Sequence, residues 1–129
     1  MKNISGYQIL VWSENPDKLQ KFYRDTLELK PQGELSLPDD YGYSFKVGKQ
    51  RLWIGKHSEV SGKNPDKFRF IINFYVDDVH AWHEKLIRRG VRMLTKPFMT
   101  PPTRDKKEKR YAFTFFDPEG NCLQIMSAK

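Results

Sequence analysis

The sequence has one cysteine, Cys122. No internal disulfide can form, which fits a reducing, cytoplasmic compartment. No hydrophobic run approaches the roughly 20 residues needed to cross a bilayer. Met1 to Tyr7 lacks the apolar core of a secretory signal. No membrane partner is expected. The chain also lacks a glycine-rich phosphate loop, a nucleophile elbow, and any helix-turn-helix, zinc-finger or RNP-like pattern, so no nucleic acid is expected either. Histidine is scarce: His57, His80 and His83 are the whole set. His80 and His83 fall on a helix surface and a helix-packing stripe, and His57 ends a strand at a rim.

Aromatic residues make up 14% of the 129 residues, enough for a packed core and too apolar for a disordered chain. The net charge is +7. Part of it is concentrated between Lys96 and Arg110, where six cations (Lys96, Arg104, Lys106, Lys107, Lys109 and Arg110) face two acids, Asp105 and Glu108. A solvated loop is the plain reading of this run; attraction of an anionic ligand is the functional one.

Read for periodicity, the chain repeats one pattern twice. Tyr7 to Trp12 alternates as a strand, and Asn15-Pro16 opens a helix whose buried positions are Leu19, Phe22, Tyr23 and Leu27. Pro31 and Gly33 read as breakers. Tyr41 to Val47 and Arg51 to Lys56 are strands, and the polar stretch to Lys67 is a linker. Phe68 to Val76 is the strongest strand pattern, with Phe68, Phe70, Ile72, Phe74 and Val76 on one face. Asp77 or Asp78 caps a second helix carrying Val79, Trp82, His83 and Leu86, and Gly90 closes it. Val91 to Leu94 is a short strand candidate. Arg110 to Met126 reads as a hairpin about the turn Asp117-Pro118-Glu119-Gly120. A four-residue loop puts Phe113 and Phe115 on one face with Cys122, Gln124 and Met126. Shifted by 63 residues, Gln8 falls on Ile71, Leu10 on Asn73 and Trp12 on Tyr75, while Leu52-Trp53-Ile54 matches Leu123-Gln124-Ile125. A duplicated βαβββ unit is the simplest account.

FYRDTLEL (22–29), YVDDVHAWHEKLIRRGV (75–91) and FFDPEGNCLQI (115–125) together resemble the vicinal oxygen chelate superfamily, which includes glyoxalase I, bleomycin and fosfomycin resistance proteins and extradiol dioxygenases. The resemblance covers nearly the whole chain. It implies an α+β fold of paired βαβββ modules, with mixed, curved sheets around a cavity. It also implies one domain over 1–129, with module 1 at about 1–60 and module 2 at about 66–129, and a homodimer. The family's metal enzymes take one ligand from each of four strands, usually His, Glu and sometimes Gln. The matching positions here are Gln8, Trp53, Ile71 and Gln124. Two neutral amides, an indole and an alkyl chain are not a transition-metal donor set. No metal, cofactor or catalytic residue is therefore assigned.

Alternation places Gln8, Trp12, Trp53, Asn73, Tyr75, Tyr111, Phe113, Phe115 and Gln124 on the cavity side as ligand-binding residues. An apolar, aromatic lining with a few amides suits a small molecule, here neutral or anionic and aromatic rather than the cationic drug bleomycin. Two readings stay open. The leading one is a small-molecule-binding protein with a degenerate metal site. The other is an enzyme of lyase or dioxygenase type, metal-dependent or metal-free, with His57 or Tyr75 as its acid or base.

Overall fold

A computed structural model describes residues 3–100 and 110–128. Residues 101–109, which hold most of the basic run, lie outside the described residues. The fold is α+β, with two four-stranded mixed sheets, one in each of two compact units, Met1–Gly62 and Lys63–Lys129.

In the first unit, β1 (Ile9–Ser13) leads into α1 (Pro16–Lys21), which continues as a π-helical turn over Phe22–Thr26. Asn15 caps the helix by accepting from the Lys18 amide at 3.2 Å, and Pro16 supplies a first-turn φ without needing an acceptor. Leu19, Tyr23 and Leu27, spaced by four, are all buried. Three antiparallel strands follow, β2 (Lys30–Leu37), β3 (Asp40–Val47) and β4 (Gln50–Lys56), and β1 pairs parallel with β4 to give the order β1-β4-β3-β2. Helix α1 packs on β3 and β4, over a face that buries Phe45, Leu52 and Ile54.

Strand β2 is a correction to the sequence reading. Pro31 and Gly33 do not end the structure there; they sit within a strand. It is an edge strand, fully exposed along its length, and its ladder with β3 shifts between Pro31 and Gly33. An edge can accept a residue with no amide hydrogen, and an irregularity absorbs the slip.

The second unit repeats the plan with β5 (Ile72–Val76), α2 (Val79–Arg88), β6 (Phe98–Met99), β7 (Tyr111–Phe116) and β8 (Cys122–Ser127), in the order β5-β8-β7-β6. Asp78 is the residue that caps α2, accepting from the Ala81 amide at 3.0 Å, and Gly90 follows the helix at φ +76°. The ladders support the duplication directly. Leu10 pairs with Trp53 in the first unit and Asn73 pairs with Gln124 in the second. The expected strand from Phe68 begins only at Ile72, leaving Phe68 and Phe70 outside it at 59% and 85% exposure. Where a strand was expected at Val91–Leu94, a single bridge joins Met93 to Phe115.

The β7–β8 register also departs from expectation. Phe113 pairs with Ile125, Thr114 with Gln124, and Phe116 with Cys122. The loop therefore has five residues, 117–121, rather than four, and that single residue flips every side chain of one strand relative to the other. Asp117 is the cause. It is buried, its Oδ1 accepts from the amides of Glu119 at 2.9 Å and Asn121 at 3.0 Å, and its Oδ2 accepts from Asn121 Nδ2 at 2.8 Å. These bonds draw Asn121 into the turn, while Gly120 takes φ +81°. Asp117→Ala strands two backbone donors and should lower unfolding free energy by about 2–4 kcal/mol. Asp117→Asn, which keeps one acceptor oxygen, should cost less. Urea unfolding checks both, and an alanine variant within about 0.5 kcal/mol of wild type would contradict this role for the carboxylate.

Candidate functional site

Each sheet has one face packed by its helix and one that is not, and the ladders decide which residues stand where. In the second unit, partners across a ladder share a face. Asn73, Gln124 and Thr114 form one row across β5, β8 and β7; Tyr75, Met126 and Ala112 form the next; Cys122 and Phe116 form a third. Tyr111, Phe113 and Phe115 stand on the opposite face with Leu123 and Ile125. That face belongs to α2: His80 stacks against Tyr111 at 5.0 Å and His83 against Phe113 at 5.1 Å between ring centroids. Tyr111, Phe113 and Phe115, expected on the face of Gln124, therefore stand on the α2 side instead, and Thr114 and Phe116 share the face of Gln124. Burial, and then the neighbouring His80, pushes the His83 imidazole below its usual pKa, as expected of a helix-packing histidine.

Asn73, Tyr75 and Gln124 remain on the face away from α2. Asn73 Nδ2 donates to Met126 Sδ at 3.6 Å, while its buried Oδ1 has no hydrogen-bond partner among the described residues. The Thr114 hydroxyl is engaged with Thr95 Oγ1 at 3.1 Å. At the Phe116 end of this face two cations approach one ring, with Arg92 Cζ at 5.0 Å and Lys67 Nζ at 5.7 Å from its centroid. Cys122 is buried, and burial raises its thiol pKa, which suits packing rather than nucleophilic chemistry.

In the first unit, the face away from α1 carries Leu10, Trp12, Trp53 and Gly55, with Ser44 and Gly42 on β3. Both indoles are half-buried. They lie over a floor of two glycines that are register partners, Gly42 and Gly55. A Cβ on Gly55 would stand 2.8 Å from Trp12 Cζ3 and 2.8 Å from Trp53 Cε2; one on Gly42 would stand 2.6 Å from Trp53 Cζ2. Trp53 thus lies along the sheet across both glycines. Sequence reading missed these two residues, because a glycine beside a tryptophan gives no signal until the register is known. Trp12 meets the edge of His57 at 5.3 Å. The His57 Nδ1 accepts from the Glu59 amide at 3.0 Å, which leaves its proton on Nε2.

Gln8 and Ile71 both lie one residue before their strands and are exposed. Neither the Trp53 indole, whose nitrogen bears a hydrogen, nor the Ile71 side chain offers a lone pair to a cation. Among the described residues no group of three or more His, Cys, Asp or Glu is placed to hold a metal ion.

On the α1 side of the first sheet lies a separate open cleft of about 650 Å³, lined by Glu14, Asn15, Asp17, Leu37, Tyr41 and Lys56 among others. Tyr41 and Tyr43 both donate to Asp17 Oδ1. These bonds hold the Asp17 carboxyl below the usual range and raise both phenols. Their separation in sequence hides this cluster from any motif.

The glycine floor makes a testable demand. Gly55→Ala must lift both indoles, and should destabilise the protein by about 1–3 kcal/mol and alter its tryptophan emission. Unchanged emission with wild-type stability in urea would show that the indoles do not lie on the sheet.

Comparison with known proteins agrees with this fold. No curated protein matches the sequence. Among solved structures, lactoylglutathione lyase from Agrobacterium tumefaciens superposes with a TM-score of 0.69 at 22% identity, covering 98% of this chain and 96% of that one. A glyoxalase family protein from Enterococcus faecalis gives 0.67 at 20%, covering 95% and 96%. The fosfomycin resistance protein FosX from Listeria monocytogenes, complexed with Mn(II) and sulfate, gives 0.72 at 13%, covering 98% and 95%. At these identities the likeness establishes the fold alone. The sequence also matches the Glyoxalase/Bleomycin resistance protein/Dioxygenase superfamily over residues 7–125, and the chain belongs to that superfamily.

Proposed function

We propose that this protein binds a small aromatic molecule, neutral or anionic, and that it does so without a transition metal at the positions its family uses. The observation that carries this reading is the pair of half-buried indoles, Trp12 and Trp53, laid over Gly42 and Gly55 on a sheet face that α1 leaves free. Flat indoles offer a large, rigid apolar surface to a planar ligand. In this reading the chain is one domain over 1–129, and Asn73 and Gln124 offer polar groups, and Tyr75 a ring, on the helix-free face of the second unit. Arg92 and Lys67 beside Phe116 favour a ligand acid over a base. The protein acts as a homodimer in the cytoplasm. Among the described residues no helix is long and apolar enough to cross a membrane.

Gln8, Trp53, Ile71 and Gln124 do not fit the metal of the family's enzymes. A tight site needs about four donors with charge or strong basicity among them, and this set supplies two neutral amide oxygens. No reaction step is assigned through a metal.

Thermal unfolding tests the reading with 2-naphthoate as the probe. At ten times its Kd a ligand adds about 1.4 kcal/mol to stability, a shift of a few degrees in Tm for a chain of this size. The shift should vanish in Trp53→Ala, bleomycin should not produce it, and chelator should leave Tm unchanged. A stoichiometric zinc, nickel, iron or manganese ion lost in Gln124→Ala would overturn the metal-free reading.

A further inference from the structure

The face of the first sheet away from α1 carries charge as well as indoles. Lys30 on β2 is the ladder partner of Lys46 on β3, and Lys46 is the partner of Arg51 on β4. Ladder partners share a face. Trp53 lies two residues beyond Arg51 and pairs with Ser44, two residues before Lys46. The three cations therefore form one row across three strands, on the face of the indoles and next to the Trp53 row. All three are exposed. Among the described residues none of their side chains has an ion pair or a hydrogen bond.

Like charges directly opposite one another in a ladder are destabilising. Neighbouring strands lie about 4.8 Å apart, so the three side chains leave the sheet within about 10 Å of one another. Guarding an open sheet edge accounts for Lys30, because β2 is an edge strand. It does not account for Lys46 and Arg51, because β3 and β4 are the inner strands of the sheet. No acid on this face offsets them nearby. The next row holds Gly33, Ser44, Trp53 and Leu10, and the one beyond it Leu35, Gly42, Gly55 and Trp12.

A compact dianion joined to a flat ring complements this face. Successive rows are about 7 Å apart, a span that an aromatic phosphate ester can cover. We infer that the ligand is an aromatic phosphate monoester. Its ring stacks on Trp53, and its phosphate lies over Lys46 and Arg51, with Lys30 reaching in from the edge. Such a phosphate carries close to two negative charges at neutral pH, and a guanidinium can meet two of its oxygens at once. The inference rests on the reading of the Trp12–Trp53 face as the aromatic site and adds the ligand's ionic group. Every residue it uses belongs to the first unit.

Calorimetric titration at low salt with 2-naphthyl phosphate and with 2-naphthol tests it, since the two share a ring system and differ in the phosphate. The phosphate should bind at least about tenfold more tightly. Lys46→Gln and Arg51→Gln should each cut that advantage about threefold and leave 2-naphthol binding unchanged. Arg88→Gln, on α2 of the second unit, should leave the advantage intact. Equal binding of the two compounds to wild type overturns the inference; if that binding is lost in Trp53→Ala, the aromatic site itself still stands. An advantage that survives the Lys46→Gln, Arg51→Gln double variant, or that falls as far in Arg88→Gln, reflects net charge alone and overturns it. Phosphate binding that persists in Trp53→Ala overturns it as well. Binding of neither compound at millimolar concentration also overturns it, and the 2-naphthoate shift then decides the broader reading separately.

Discussion

The buried carboxylate of Asp117 sets the register of the β7–β8 hairpin, and with it the chemistry of both faces of the second sheet. By collecting the amides of Glu119 and Asn121 and the side chain of Asn121, it fixes a five-residue turn. One residue fewer would carry Phe113 and Phe115 to the face of Gln124 and send Thr114 and Phe116 under the helix. With the register as it is, the rings of Phe113 and Phe115, both fully buried, pack where α2 needs apolar surface. The amides of Asn73 and Gln124 are left on the other side. Packing and site chemistry are thus decided by the same few hydrogen bonds.

The two units share a plan and differ in what they display. Leu10 with Trp53, and Asn73 with Gln124, occupy equivalent ladder positions, yet one pair is apolar and the other polar. The first unit accommodates its indoles by leaving Gly42 and Gly55 without side chains beneath them. The second keeps small and mid-sized groups, Thr114 and Cys122, around its amides. A duplicated scaffold therefore gives one stacking surface and one hydrogen-bonding surface. At Gln8, Trp53, Ile71 and Gln124 neither unit supplies a charged donor.

Much of the fold was legible in the sequence because the relevant signals are local. Asn15-Pro16 and Asp78 cap their helices as their chemistry suggests, and the repeat emerges from spacing alone. Three things were not legible. Strand β2 is an edge, so nothing in its burial pattern distinguishes it from a loop, and Pro31 and Gly33 pointed the wrong way. Phe68 and Phe70 continue the alternation of β5 without continuing its ladder. The hairpin register depended on whether Asn121 belongs to the turn or the strand, and only the hydrogen bonds of Asp117 settle that. The face assignment inherited that difference: Asn73, Tyr75 and Gln124 share one face of the second sheet, whereas Tyr111, Phe113 and Phe115 stand on the other.

The chain's three tryptophans provide an internal control for the central claim, that the helix-free face of the first sheet binds an aromatic ligand. Trp12 and Trp53 lie on that face, whereas Trp82 lies on α2 with Lys85 Nζ 4.1 Å from its ring centre. Nitrogen-15 labelling of the indoles gives one side-chain resonance for each. Titration with 2-naphthoate should move the Trp12 and Trp53 signals together along one saturation curve and leave Trp82 in place. Movement of Trp82 alone, or saturation binding that leaves both Trp12 and Trp53 unmoved, would contradict the account.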